Sequence, residues 1–241
     1  MYKNYLFDLY GTLADIHTDE WAEEFWGKIA ELYTEKGAKY TAGEINKKYG
    51  DLVEEQKGIV GNAHPEFEYI DIKIEEVFKR LYELKKIPVN TELVLATAKR
   101  FREISREYIK LYDGIEELLD DLKKAGKKIY LLTNAQRVFT WDELGLLGIR
   151  DKFDGIVISS DEGCCKPDPA FFNVMLKRYS LNPKETIMVG NDPTADIMGA
   201  VQVGLDSLYI HTNISPELRE LPKSTYIIEN GDTTKMRDYL L

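Results

Sequence analysis

Cysteine is nearly absent: the 241 residues contain two, Cys164 and Cys165, side by side. Adjacent cysteines are poor disulfide partners, and no Cys-x-x-Cys spacing occurs, so neither a disulfide framework nor a cysteine metal site is expected. A reducing, cytoplasmic setting follows as the expectation. Long apolar runs are missing too, since none approaches the ~20 residues that span a bilayer. The opening residues do not read as a signal peptide, because Asp8 ends the first apolar run after only a few positions. Basic charge is in deficit, with 32 Lys+Arg against 42 Asp+Glu and a formal net charge of -10. That balance argues against nucleic acid and anionic membranes as partners, because both call for basic patches. Histidine is scarce, and His17, His64 and His211 have no Ser or Cys at a recognisable spacing, which argues against a Ser-His-Asp site. No internal repeat and no low-complexity stretch is present.

What remains is an ordinary globular composition, 44% hydrophobic and 31% charged. At roughly 150 residues per domain the length lies between one domain and two. The residues from Tyr2 to Asp8 read as a buried strand that feeds a turn at Tyr10-Gly11-Thr12. The next stretch is different. Helical spacing runs from Asp19 to Gly37, and Thr41 with Glu44 makes a capping box ahead of an apolar face of Ile45, Tyr49, Leu52 and Val53. Pro65 is expected to open a helix towards Lys86, and Thr91 to about Lys110 reads as helical again. Four helices with no strand signal predict a small bundle. Trp21, Trp26, Tyr33, Tyr40, Phe67 and Tyr69 are expected mostly in its core. Beyond Asp113-Gly114, helices alternate with short apolar strands at 128–133, 155–159, 186–190, 206–210 and 226–228. That alternation predicts right-handed βαβ units, a parallel sheet and an α/β fold. The helical segment thus interrupts an α/β core just after its first strand. The expected division is 1–14 plus 108–241 for the core and 15–107 for the insert. Each part carries a net charge of -5, from 15 basic and 20 acidic residues in the insert and 17 and 22 in the core.

Ligands of parallel α/β sheets bind beyond the carboxyl ends of the strands. Polar groups fall at four such ends: Asp8, Thr133-Asn134, Lys166 and Asn191-Asp192. Taken singly, each has an ordinary explanation as a cap, a turn former or a solvated lysine. Together they suit one chemistry. A carboxylate can attack an electrophile and form a covalent intermediate. A hydroxyl and an ammonium can hold an anionic group against it. Further carboxylates can bind Mg²⁺, and backbone amides after Asp8 can cradle an oxyanion.

These residues resemble the four ordered motifs of the haloacid dehalogenase-like hydrolase superfamily over nearly the whole chain. The segment from Phe7 to Leu13 is similar to the first motif, which implies Asp8 as nucleophile. Leu131-Leu132-Thr133-Asn134 is similar to the second, with Thr133 as the phosphate-holding hydroxyl. Gly163-Cys-Cys-Lys166-Pro167-Asp168-Pro169 is similar to the third, with Lys166 as the positive charge. The segment from Val189 to Ala200 is similar to the acidic fourth. The resemblance implies a Rossmann-like three-layer core with an α-helical cap that closes over the site. It implies Asp8, Thr133 and Lys166 as catalytic residues. Leu9, Tyr10, Thr12, Asn134 and Lys166 are implied at the substrate. Mg²⁺ is implied on Asp8, the Tyr10 carbonyl and Asp192, with Asp196 bridging to Lys166 or binding through water.

The chain departs from the family pattern at Asn191, where many relatives carry Asp, and more consequentially just after Asp8. Most phosphatases of the family carry a second Asp two residues after the nucleophile, and here that residue is Tyr10. A phenol with a pKa of ~10 is a poor base at neutral pH. The same Tyr-Gly-Thr is found in 2-haloacid dehalogenases, whose halide leaves without a proton. Those enzymes also resemble each other in a cap arginine, and no Arg occurs here from 15 to 79. The favoured expectation is a Mg²⁺-dependent phosphatase acting on a small anionic metabolite. A metal-free dehalogenase is second, and a non-catalytic binding protein on the same scaffold third. Lys47 and Lys48 are read as surface lysines rather than as a Schiff-base residue. Cys165 is read as a small buried filler and His17 as a solvated loop histidine. Nothing in the sequence signals an oligomeric state.

Overall fold

The computed structural model describes residues 2–22 and 24–241. Strand β1 (Asn4–Phe7) and the ribbon strand β2 (Ala14–Thr18) precede helices α1 (Phe25–Glu35), α2 (Ala42–Ala63), α3 (Ile74–Leu84) and α4 (Thr91–Ser105). Strand β3 (Arg106–Leu111) returns the chain to α5 (Ile115–Lys124), β4 (Lys128–Thr133), α6 (Arg137–Leu146) and β5 (Gly155–Ile158). There follow α7 (Ser159–Glu162), α8 (Pro169–Arg178), β6 (Thr186–Gly190), a wide turn (Pro193–Met198) and α9 (Gly199–Gln202). Strands β7 (Asp206–Ile210) and β8 (Tyr226–Ile228) and helix α10 (Met236–Leu240) complete the fold.

Six parallel strands form one sheet in the order β5-β4-β1-β6-β7-β8. The expected α/β class is therefore the observed one. β1 lies between β4 and β6, and its Tyr5, Leu6 and Phe7 are buried. That explains why its sequence is continuously apolar rather than alternating. Consecutive strands depart to opposite sides of β1, so its carboxyl end is a topological switch point, where a crevice opens. Asp8 is the next residue.

The insert differs from a pure helical bundle. β2 and β3 form an antiparallel ribbon in which Ile16 faces Ile109. The ribbon carries the chain out of the sheet and back. α4 therefore ends at Ser105, not near Lys110, because Ile109 and Leu111 are drawn into pairing with β2. The first helix begins at Phe25 rather than Asp19, since the Asp19 carboxylate accepts from the amides of Trp21 and Ala22, both at 2.8 Å, in a local turn. Trp21 is 94% exposed instead of lying in the core, and Tyr69 is exposed as well. Pro65 opens no helix. Asp168 Oδ2 accepts from the amides of Glu68 and Tyr69 at 2.7 and 3.2 Å, and the amide of Asp71 donates to the Gly163 carbonyl. Those amides are unavailable to a helix, and the segment instead binds the loop that carries Lys166.

Other expectations hold. Thr41 Oγ1 accepts from the Glu44 amide at 3.2 Å, and the Thr41 amide donates to Glu44 Oε2 at 2.8 Å, which closes the capping box. Ile45 and Leu52 are buried, with Tyr49 and Val53 packed beside them. The insert's own core centres on Phe101, whose ring lies 5.1 Å from Phe25, 5.0 Å from Phe78 and 5.7 Å from Tyr49. It stacks on Phe139 of α6 at 6.1 Å, so insert and sheet domain share this cluster. Phe101→Ala should cost about 3–5 kcal/mol in urea unfolding at equilibrium, the usual range for a buried aromatic.

Candidate active site

The loops after β1, β4, β5, β6 and β7 meet on one rim of the sheet. At its centre is Lys166, whose ammonium group is almost fully buried. Its Nζ donates to Asp8 Oδ1 at 2.7 Å, Asp196 Oδ1 at 2.7 Å and the Leu132 carbonyl at 2.8 Å. Three acceptors use all three ammonium protons. Burial penalises the charged lysine, yet the carboxylates of Asp196 and Asp8 hold its pKa above the ordinary value. Burial lifts the Asp196 carboxyl to about 7, with the charge of Asp8 adding to the effect and that of Lys166 opposing it.

Each partner is placed by its own backbone. The Asp8 amide donates to the Val189 carbonyl at 3.0 Å, which continues the β1–β6 ladder up to Asp8. Asp196 is turned back by the wide 193–198 turn, and its Oδ2 accepts from the Asp192 amide at 2.9 Å. Gly190 makes room for it, because a Cβ there would sit 2.3 Å from Asp196 Cγ. Gly11 has φ +85°, and a Cβ on it would sit 2.2 Å from Asn191 Nδ2. Both positions therefore require glycine.

The expected residues divide into two groups. Asp8, Thr12, Thr133 and Lys166 converge. Thr12 Oγ1 lies 3.3 Å from both Asp8 Oδ2 and Asn191 Oδ1. The Thr133 hydroxyl is buried with no hydrogen-bond partner among the described residues, so it has a bond to offer a ligand. Asn134 is placed otherwise than expected: its Oδ1 accepts from the Lys166 amide at 2.8 Å and its Nδ2 donates to the Lys166 carbonyl at 2.9 Å. Both ends of its amide bind the Lys166 backbone, so Asn134 positions Lys166, with one Nδ2 hydrogen left over. Asp192 Oδ1 caps the following turn by accepting from the amides of Thr194 and Ala195, both at 2.8 Å, which leaves Oδ2 as its free oxygen.

Tyr10 splits its roles between backbone and side chain. Its carbonyl accepts no hydrogen bond from the described residues. Its hydroxyl donates to Glu143 Oε2 at 2.5 Å and lies 3.0 Å from Thr140 Oγ1. Glu143 is fully buried on α6. It also accepts from Arg102 Nε at 2.7 Å and Arg106 Nη1 at 2.8 Å, both at the end of the insert. Burial, reinforced by the neighbouring Glu143 charge, holds the phenol far above its ordinary pKa. The Tyr10 side chain is thus a fixed donor and not a proton shuttle.

A hard cation such as Mg²⁺ takes oxygen ligands and keeps several waters. The rim offers Asp8 Oδ2, the Tyr10 carbonyl, Asn191 Oδ1 and Asp192 Oδ2. Among the described residues no three His, Cys, Asp or Glu side chains form a metal cluster on their own. The residues therefore fit a cation held partly by backbone and water rather than a closed all-carboxylate cage.

Several participants were not evident from the sequence. Thr212 Oγ1 donates to the Gly11 carbonyl at 2.7 Å, and Asn191 Nδ2 donates to Ser215 Oγ at 3.2 Å, so the loop after β7 braces the first loop. Its position after a fifth strand was the available signal. Glu143, Arg102 and Arg106 carry no local signal at all. Cys165 is half-buried with its thiol pushed up to about 11, chiefly by burial despite the adjacent lysine, as a filler requires. His17 is exposed, as expected.

The Glu143 cluster makes a testable pH claim. Burial alone would raise the Glu143 pKa, but the arginines hold it below its ordinary value. Its contribution is then fully present above the unfolded value of about 4.3 and is lost as pH falls through the folded value. Glu143→Gln should lower unfolding stability at neutral pH by about 3–5 kcal/mol, since it strands two arginines. It should also flatten the acid limb of the stability profile, measured by urea unfolding across pH.

The geometry can now be set beside known proteins. A family model for haloacid dehalogenase-like hydrolases matches residues 2–204. A glyceraldehyde 3-phosphate phosphatase of Pyrococcus abyssi is 27% identical over 166 residues, 69% of this chain and 65% of that protein. The chain therefore spans about two thirds of the length of that curated relative. A solved 2-haloacid dehalogenase from Pseudomonas syringae superposes with a TM-score of 0.64 at 20% identity, covering 100% of this chain and 98% of that one. A HAD phosphatase from Thermococcus onnurineus gives 0.61 at 20% identity, covering 99% and 97%. At these identities the structures establish the fold alone. No described helix is long and apolar enough to cross a membrane. With Asp8, Thr133, Lys166 and Asp196 gathered on one rim and the family model spanning residues 2–204, this chain belongs to the haloacid dehalogenase-like hydrolases.

Proposed function

We propose that this hydrolase is a Mg²⁺-dependent phosphatase acting on a small phosphorylated metabolite through an aspartyl-phosphate at Asp8. The observation that carries the proposal is the buried, unpartnered Thr133 hydroxyl on the rim that holds the Asp8–Lys166 pair. A phosphoryl oxygen supplies the acceptor that Thr133 lacks. The phosphatase from Pyrococcus abyssi supports the same chemistry. In this reading, residues 1–14 and 108–241 form the catalytic core, and 15–107 form a cap that selects the substrate.

Lys166 and Thr133 hold the phosphoryl oxygens, and backbone amides at Leu9 and Tyr10 complete the cradle. An Asp8 carboxylate oxygen attacks phosphorus, and the bond to the leaving oxygen breaks with its electron pair. Water then attacks the acyl phosphate, releasing inorganic phosphate and restoring the Asp8 carboxylate. Asp8, the Tyr10 carbonyl and Asp192 would hold Mg²⁺, which when bound offsets the repulsion between a carboxylate nucleophile and a phosphate. Tyr10 supplies no proton, because its hydroxyl is committed to Glu143. The leaving group must therefore depart with little protonation, or take its proton from the substrate or the cap.

One observation favours a second reading, displacement of halide from a 2-haloacid by Asp8. Arg102 of α4 lies over the Tyr10 ring at 5.9 Å, an inward-turned arginine in a region where the sequence drew no attention to it. Two of its nitrogens, Nε and Nη2, are however engaged by Glu143.

The first test is phosphate release with and without Mg²⁺. Asp8→Asn should abolish turnover, and chelation should remove activity that added Mg²⁺ restores. Thr133→Ala should lower kcat by about 10²-fold, the usual effect of losing one donor to a developing oxyanion. Aryl phosphates should turn over much faster than alkyl phosphates, because the site lacks the usual acid. Full activity of Asp8→Asn would sink the proposal. Metal-independent chloride release from 2-chloropropionate would establish the second reading. No turnover of any ester or haloacid, with specific ligand binding, would establish a binding protein.

A further inference from the structure

A cavity opens between α4 of the insert and α6 of the core. It holds about 580 Å³ and none of Asp8, Thr133, Lys166 or Asn191 lines it. Four of its lining residues are cationic, Lys99, Arg102, Arg106 and Arg150, against two acids, Glu103 and Asp142. With the buried Glu143 that Arg102 and Arg106 bind counted as well, four cations meet three acids, a slightly basic lining in a chain of net charge -10. One of the two acids is already engaged, since Glu103 accepts from Arg100 at 2.8 Å. The arginines retain donors: Arg102 spends Nε and Nη2 on Glu143, and Arg106 spends Nη1, while Arg102 Nη1 and Arg106 Nε and Nη2 make no hydrogen bond among the described residues. The buried Glu143 fixes both side chains in advance, which reduces the entropy cost of binding.

The cavity continues into a neighbour of about 850 Å³ that shares Lys99, Val138 and Asp142 with it. This half is lined by Leu95, Ala96 and the Trp141 indole. Trp141 is 41% exposed and Leu95 49%, so an apolar surface stands open beside the basic one. Arg137 and Arg150 lie 5.1 and 5.2 Å from the Trp141 ring, which leaves that ring framed by cations. Glu75 lines the same half, and its buried Oε2 has no hydrogen-bond partner among the described residues.

We infer that the α4–α6 groove is a second binding site, for a small metabolite with an anionic head, a planar apolar body and a hydrogen-bond donor at the far end. The head takes the free N–H groups of Arg102 and Arg106 with Lys99 and Arg150. The body lies along Leu95, Ala96 and the part of Trp141 that the two guanidinium groups leave exposed, and the donor satisfies Glu75 Oε2. The site joins insert to core and touches the arginines that hold Glu143 and, through it, Tyr10.

The probe is 6-hydroxy-2-naphthalenesulfonate, which carries all three features and no phosphate. Titration calorimetry on the full chain should give one site per chain. Lys99→Glu combined with Arg150→Glu should weaken it by about ten-fold or more, as expected for reversing two charge contacts. Trp141→Ala should weaken it as well, while Thr133→Ala should leave it unchanged. Thermal unfolding of each variant establishes that it is folded before its affinity is read. Absence of binding at millimolar probe, unchanged affinity in the double charge reversal, or loss of binding in Thr133→Ala would overturn the inference. The last result would place the probe on the Asp8 rim instead. None of these outcomes depends on whether the Asp8 site is a phosphatase.

Discussion

The structure turns on one buried ammonium. Lys166 Nζ is bound by Asp8, Asp196 and the Leu132 carbonyl, with no proton left over. A lysine out of contact with water costs several kcal/mol unless its charge is met. Here the charge is met by groups from the loops after β1 and β6 and the end of β4. The ammonium thereby ties together three strand ends whose residues are distant in sequence. The rest of the rim serves this arrangement. Asn134 holds the Lys166 backbone, the wide turn after β6 brings Asp196 back, and Gly190 leaves it space. One cation among two carboxylates leaves a net negative site unless Asp196 is protonated. Burial raises the Asp196 carboxyl above the ordinary carboxylate range, which moderates that excess negative charge.

A second buried charge cluster has the opposite sense. Glu143 gathers two arginines from the insert and the phenol of Tyr10 from the loop after β1. Two of its three partners sit where α4 meets β3, the return point of the insert. The same carboxylate thus joins three parts of the chain and decides what the residue two places after Asp8 can do. In place of a carboxylate that could pass a proton, there is a phenol locked as a donor. The absence of the usual acid is therefore not an empty position. That position has been given to structure, with Glu143 as the partner that makes a buried tyrosine hydroxyl affordable.

Much of the core was legible because its signals are local. Apolar strands followed by polar residues located Asp8, Thr133 and Lys166, and the spacing of glycines and acids around 190–196 located the fourth loop. The bridge from Asp196 to Lys166, one of two roles considered for Asp196, is present. What could not be read depended on contacts between distant segments. The β2–β3 ribbon pairs residues about ninety positions apart, and Ile109 and Leu111 also fit the tail of a helical pattern. The segment from Pro65 to Lys73 has helix-compatible residues, but its amides are taken by Asp168 and Gly163. Asn134 and Asp192 were placed at the right strand ends, yet their side chains serve the backbone around them. Motif spacing identifies a position and not the direction in which its side chain points. Glu143 is the clearest case: nothing around it in sequence distinguishes it from a surface glutamate on an amphipathic helix.

The central claim is that phosphorus is transferred to the Asp8 carboxylate. It is tested most directly by reducing the acyl phosphate with borohydride during turnover of an aryl phosphate and sequencing the product by mass spectrometry. The account requires the peptide that contains Phe7 and Leu9 to carry homoserine in place of Asp8, in amounts that fall when substrate is withheld. An unaltered aspartate at that position under full turnover, or reduction at a different carboxylate, would contradict it.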